Sequence, residues 1–166
     1  MKFLLRPMRI EDAEALASLA DDPEVWAHTQ KPPAKTLEEW RGLIGLLSIQ
    51  PWCFTACIDD EPIGAFSMIR QDGQYAHRAE IGGWLGKPFW GHGFATLAFS
   101  WLIDFGSRNG LQRIEARGAK DNPMVTRAGE KSGMALESVM KDGIVRGGRT
   151  IDELLYAWRK EAPCLG

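Results

Sequence analysis

The stretch from Phe94 to Arg108 restricts the fold more than any other. Leu97, Trp101 and Phe105 fall on one line of a helix, with Phe94, Ala98 and Leu102 beside it. An apolar surface that wide means a buried helix rather than one with a broad face in water. Just before it, Gly86 to Gly93 is a turn punctuated by glycine and proline, and before that Ala76 to Leu85 reads as a strand. The middle of the chain is therefore a strand, a glycine-rich turn and a buried helix in succession.

The flanking segments complete an α/β pattern. Phe3 to Arg6 reads as a strand limited by Pro7, and Glu11 to Ala20 spaces Ala13, Leu16, Ala17 and Ala20 as a helix does. Asp21 to Ala34 carries Pro23, Pro32 and Pro33 and is expected to be a loop or broken helix. Thr36-Leu37-Glu38-Glu39 then opens a capped helix running toward Ser48. Trp52 to Ile58 and Pro62 to Arg70 form a predicted hairpin around Asp59-Asp60-Glu61, with Ala76 to Leu85 as the next strand. Further on come a strand at Arg113 to Arg117, a helix at Asn122 to Ser132, and a strand pair at Leu136 to Met140 and Thr150 to Trp158. Two turn signals, Asp142-Gly143 and Gly147-Gly148, leave the register of that last pair open. An antiparallel middle followed by one strand-helix-strand crossover implies a central sheet with helices on both faces. One domain is expected over residues 1–166.

Composition excludes several classes of function. The 20 basic and 22 acidic residues are interspersed and leave a net charge of -2, so no general attraction to nucleic acid or an anionic membrane is expected. No segment reads as a membrane span, and Arg6 comes too early for a signal peptide, which makes a cytoplasmic location the expectation. Cys53, Cys57 and Cys164, with His28, His77 and His92, show no metal-ligand spacing, so no metal is expected.

The chemistry is concentrated in Trp90-Gly91-His92-Gly93-Phe94-Ala95-Thr96. The first amides of a helix have no partner within it, and glycines let several N–H groups converge on one anion, with the helix dipole adding to the attraction. The turn suits a phosphate. It is not a P-loop, which needs Gly-Lys followed by Ser or Thr, and the antiparallel strands before it argue against a dinucleotide-binding fold in spite of Glu115. Glycines in such a turn also serve simple chain reversal, and a purely structural turn in a protein-interaction module stays open on these residues alone.

This turn resembles the acyl-CoA motif of the GNAT superfamily, with Trp90 in place of the usual first residue. Together with Ala79-Glu80-Ile81-Gly82-Gly83-Trp84-Leu85-Gly86 it looks like the RimJ/RimL branch. Asn122 to Met134 is similar to the family's helix with its Glu-Lys-x-Gly ending, Asp152 to Tyr156 to its last strand, and Leu5-Arg6-Pro7 with Asp12 to its opening. The resemblance implies the GNAT fold, a mixed, mostly antiparallel sheet of about seven strands. It also implies an N-acetyltransferase that moves the acetyl group of acetyl-CoA to a primary amine by direct attack in a ternary complex. The acceptor is a small-molecule amine or a protein N-terminus, and a homodimer is compatible with the family.

By the same resemblance, Gly91, His92, Gly93, Phe94, Ala95 and Thr96 hold the pyrophosphate. The main chain of Trp84, Leu85 and Gly86 pairs with the pantetheine arm, and Asn122 contacts that arm or caps its helix. An alkyl amine with a pKa of roughly 10 must lose a proton before it attacks. Glu80, on the strand entering the turn, is the candidate base or water-holder, with His77 and His28 as substitutes. The family serine that protonates the leaving thiolate is Val125 here, which cannot donate. Thr126 is one helical step away, and Tyr156 is the remaining candidate acid. The missing serine motivates an alternative, an acyl-CoA-binding protein of the same fold without turnover.

Overall fold

A computed structural model of the protein describes residues 1–28 and 32–161, so Cys164 and part of the expected loop before Thr36 lie outside the described residues. The chain divides into two compact units. One comprises Met1–Met68 and Gly82–Ala98, the other Ile69–Ile81 and the chain from Phe99 onward.

In the first unit, β1 (Phe3–Pro7) pairs antiparallel with β2 (Cys53–Ile58), Leu5 opposite Ala56, and β2 returns as β3 (Glu61–Arg70). Asp59 and Asp60 form that turn at φ 49° and 72°, the left-handed pair that a tight hairpin loop requires. The helix expected from Glu11 is split into a 3-10 turn at Ile10–Asp12 and α1 (Ala13–Ala20). The break follows from Asp12, whose carboxylate turns inward. It accepts from both ends of the Arg6 guanidinium at 2.8 and 2.7 Å, from the Thr55 hydroxyl at 2.6 Å and from the Arg9 amide at 2.9 Å.

A second 3-10 turn, Pro23–Trp26, occupies the loop before α2 (Leu37–Ser48). The capping box is present: the Glu39 amide donates to the Thr36 hydroxyl and the Glu39 carboxylate accepts from the Thr36 amide, both at 3.2 Å. Leu16, Trp40 and Ile44 are the centre of a core that also holds Met8, Ala13 and Ala20, with Trp26 and Trp84 packed against it.

β4 (Arg78–Leu85) and α3 (Phe94–Arg108) run from one unit into the other. The second unit adds β5 (Arg113–Ala119), β6 (Ala135–Arg146) and β7 (Arg149–Arg159), with β7 antiparallel to both β5 and β6. Gly147 and Gly148, at φ 56° and 74°, form the β6–β7 turn. Asp142, at φ 54°, lies where the register shifts between Met140 and Ile144, so the other turn signal marks a bulge inside a longer β6.

The helix expected over Asn122 to Ser132 is a π turn at Met124–Ala128 followed by a short α4 (Gly129–Lys131). The strand order is β1-β2-β3-β4-β5-β7-β6 in a seven-stranded sheet, and β4–β5 is parallel. The mostly antiparallel, seven-stranded expectation is met.

Burial pulls the Asp12 pKa upward, but hydrogen bonds from Arg6, Thr55 and the Arg9 amide outweigh it and hold the carboxyl below its ordinary value. The stabilisation this brings is present above the unfolded pKa and is lost as pH falls through the folded one. Asp12→Ala is expected to cost about 3–5 kcal/mol in urea unfolding, because Arg6 is left partly buried without its main partner. The variant should also show a shallower acid-side fall in stability than the wild type, by the share that Asp12 contributes.

Candidate active site

Gly91 and Gly93 adopt φ 76° and 83°, a region that residues with a Cβ rarely enter, although a Cβ at either position would meet nothing within 4 Å among the described residues. Main-chain conformation, not crowding, therefore demands glycine here. The Leu97 amide donates to the Gly93 carbonyl at 3.1 Å and begins the helical ladder. The N–H groups of Phe94, Ala95 and Thr96 precede that bond and lie at the positive end of a helix of 15 residues. Phe94 anchors this end: it is buried, its ring stacks on Phe3 at 5.5 Å, and His92 stacks on it at 5.9 Å. Gly91, His92 and Gly93 are exposed. The Trp90 indole N–H donates to the Leu85 carbonyl at 2.8 Å and ties the turn back to the end of β4.

The main chain of β4 has two edges. The Gln71 amide donates to the Arg78 carbonyl at 3.1 Å, and the Gly86 amide to the Ile63 carbonyl at 2.9 Å, both in one antiparallel register with β3. Strand alternation then directs the polar groups of Trp84 and Gly86 toward β3, and those of Gly83 and Leu85 toward the opposite edge. Two glycines allow the close approach on the β3 side. A Cβ on Gly64 would strike the Trp84 carbonyl, and one on Gly83 the Ala65 carbonyl and the Phe66 ring. This corrects the expectation for Trp84 and Gly86, whose main-chain groups are already directed to β3. Of the three residues expected to pair with an added strand, only Leu85 directs its main-chain groups away from β3, as Gly83 does, on an edge whose pairing with β5 among the described residues ends at Glu80. The period-two alternation held the signal, but choosing its phase required the register.

Parallel pairing of β4 with β5 sets Glu80 beside Glu115. Glu115 is 1% exposed and surrounded by arginines, with Arg113 Nε at 2.6 Å, Arg117 Nη2 at 3.3 Å and Arg78 Nη1 at 3.5 Å. Burial raises the Glu115 pKa, yet the arginines, Arg113 first, bring it below the ordinary glutamate value. Glu80 is the reverse case. It is half-exposed, 3.7 Å from Arg117 Nε, and burial with the neighbouring Glu115 and Glu153 charges raises its pKa against the opposing pull of Arg117. Arg117 went unnoticed in the sequence, although Arg113, Glu115 and Arg117 share one face of a strand by period two. His77 is exposed and sits before β4.

Asn122 acts as a cap, its side-chain oxygen accepting from the Met124 amide at 3.0 Å. Val125 is buried and so close to Gly118 that a Cβ there would collide with it. The Thr126 hydroxyl donates to the Asn122 carbonyl at 3.2 Å. Tyr156 is 3% exposed, packs beneath Gly129 and donates to a Glu130 carboxylate oxygen at 2.8 Å. Burial and that bond push its pKa up to about 12. The structure thus argues against Tyr156 as the acid: its proton is committed to Glu130 and harder to release than that of a free phenol.

A family model described as an acetyltransferase (GNAT) domain matches residues 2–135. The chain belongs to the GNAT acetyltransferase family. The uncharacterized N-acetyltransferase p20 of Bacillus licheniformis is 32% identical over 169 residues, covering 96% of this chain and 93% of the relative. Among solved structures, a GNAT-family acetyltransferase from Bacillus anthracis superposes with a TM-score of 0.83 at 24% identity, covering 96% of this chain and 95% of that one. RimL, a ribosomal L7/L12 alpha-N-protein acetyltransferase solved with coenzyme A, gives 0.83 at 22% identity with the same coverage. These two share the fold. No group of three or more His, Cys, Asp or Glu suited to a metal occurs among the described residues, and none of their helices is long and apolar enough to cross a membrane.

Replacing Tyr156 with Phe in this acetyltransferase should lower stability by about 1.5–3 kcal/mol, the worth of a hydrogen bond to a charged group. The acetyl-transfer rate per folded molecule should stay unchanged. A rate loss of tenfold or more with an intact fold would restore Tyr156 as the acid.

Proposed function

We propose that residues 1–166 act as one domain that transfers the acetyl group of acetyl-CoA to a primary amine. The observation that carries the reading is the turn at Gly91 to Thr96, where two left-handed glycines and the unpaired first amides of α3 make an anion cradle in a chain of the GNAT family. Acetyl-CoA supplies the activated acyl group. The amides from Gly91 to Thr96 receive its pyrophosphate, and the open β4 edge at Gly83 and Leu85 pairs with the pantetheine arm as an added strand would. The Leu85 carbonyl is held by Trp90, so the Leu85 amide is the donor left for that pairing. Asn122 spends its side-chain oxygen on Met124 and keeps its NH2 group for the arm.

The acceptor nitrogen forms the amide bond as the thioester C–S bond breaks, and its proton passes to Glu80 directly or through a water. The raised pKa of Glu80 makes it a stronger base than an ordinary glutamate. With Val125 and Tyr156 both unsuited to donate, the thiolate leaves unassisted, as a thiol pKa near 8.5 permits. The RimL likeness supports a RimJ/RimL-type member, acting in the cytoplasm on a protein N-terminus or a small amine. Val125 favours a second reading, an acyl-CoA-binding protein without turnover.

Thermal unfolding with acetyl-CoA, ATP and NAD in turn tests the cradle. Acetyl-CoA at ~100 times its Kd should add about 2.7 kcal/mol, and the other two nothing. Thiol release with amines separates enzyme from binding protein. Because the base must be ionised, the rate should fall as pH drops through the Glu80 pKa. Glu80→Gln should remove that dependence, lower kcat by about 10²–10⁴-fold and spare acetyl-CoA binding. An unchanged pH profile in the variant would send the search for the base elsewhere.

A further inference from the structure

The first unit contains a hollow of about 590 Å³ between the C-terminal end of α1 and the start of α2, a volume typical of small-molecule sites. Ala17, Leu37 and the indoles of Trp26 and Trp40 form its walls, and Asp21 and Lys35 contribute its charged groups. The indoles are fixed in place. Trp26 donates its ring N–H to the Ala20 carbonyl at 2.8 Å, and its ring lies 6.5 Å from Trp40 and 5.3 Å from Trp84. Trp84 belongs to β4, one residue from Leu85 at the open edge, so the aromatic wall continues directly to the strand proposed to carry the thioester arm.

The neighbouring acids are already committed. Asp22 caps the Pro23–Trp26 turn, Glu24 pairs with Lys87 at 2.7 Å, and Glu39 accepts the Lys35 and Thr36 amides. Asp21 lines the hollow with a carboxylate that makes no hydrogen bond or ion pair among the described residues. One free carboxylate beside an indole wall suits an ammonium group, by charge and by attraction to the ring face. Asp21 is the one acidic side chain among the described lining residues and Lys35 the one basic, so a second ammonium group would find no carboxylate partner in the hollow.

We propose that this hollow selects the acceptor, and that the acceptor is a monoamine with an apolar, ring-sized body rather than a polyamine or a protein N-terminus. The proposal rests on the reading of amine acetylation given above. The ring lies between Ala17, Leu37 and the indoles, and the ammonium group meets Asp21 before it is deprotonated for transfer.

The test uses the full chain with phenethylamine, spermidine and trialanine as probes. Phenethylamine alone, without acyl donor, should raise the unfolding temperature, and Ser18→Trp, which fills the hollow from an exposed lining position, should abolish that rise. With acetyl-CoA present, phenethylamine should show a KM at least tenfold below those of spermidine and trialanine. Ser18→Trp and Asp21→Asn should each raise that KM tenfold or more while leaving acetyl-CoA affinity unchanged. A phenethylamine KM untouched by Ser18→Trp, or a tenfold preference for spermidine or trialanine, would overturn the proposal. Absence of thiol release with every amine would instead remove the transfer reading, and the donor-free unfolding shift would still decide whether the hollow binds the monoamine.

Discussion

Between Leu85 and Phe94 the main chain leaves a strand and enters a long helix within a few residues, and two glycines in left-handed conformation make that possible. The geometry has two consequences at once. It leaves the first amides of α3 unpaired and exposed to a ligand, and it brings the Trp90 indole back onto the Leu85 carbonyl, which fixes one end of the open β4 edge. A residue with a Cβ at Gly91 or Gly93 would be strained even though space is available, so the constraint acts through the backbone. Phe94, stacked on Phe3, holds the helix start rigid behind the cradle. Rigid donors aimed at a fixed point need little reorganisation when a charged ligand arrives.

Charge on the adjoining strands is distributed unevenly, and the unevenness has a physical logic. Glu115 is buried among Arg113, Arg117 and Arg78 and stays ionised, as a structural anion must when it is cut off from water. Glu80, its cross-strand neighbour, has Arg117 at 3.7 Å as its one ion-pair partner among the described residues and is pushed the other way by burial and nearby carboxylates. Two glutamates side by side thus carry pKa values displaced in opposite directions, which separates a residue that holds the strands from one able to exchange a proton.

Much of this was legible in the sequence because it rests on local rules. The apolar run from Phe94 to Phe105 marked a helix with the bounds the structure has, but not a buried one. Leu97 is 49% exposed and Trp101 and Phe105 are half-buried, because Phe94, Ala98, Phe99, Leu102 and Ile103 form the inward face while Ser100 and Asp104 meet water. Thr36 with Glu39 marked the start of α2. The glycines at 91 and 93 before an apolar helical run marked the turn, and both adopt the left-handed conformation there. What the sequence withheld depended on partners distant in the chain. Asp12 ends a 3-10 turn instead of lying inside a helix because Arg6 and Thr55 claim its carboxylate. The choice between Asp142-Gly143 and Gly147-Gly148 needed the register with β7, and the edge to which Trp84 and Gly86 present their main chain needed the register with β3. Tyr156 looked available for catalysis because its bond to Glu130 joins residues far apart in sequence.

Ligand binding rests on the amides that open α3, and amide-resolved hydrogen exchange reads them individually. On adding acetyl-CoA, exchange at Gly93, Phe94, Ala95 and Thr96 should slow markedly, with Leu85 slowing alongside them as the open edge of β4 gains a partner. Slowing confined to other parts of the chain, with these amides exchanging as fast as before, would show that the turn does not hold the ligand and would contradict the account.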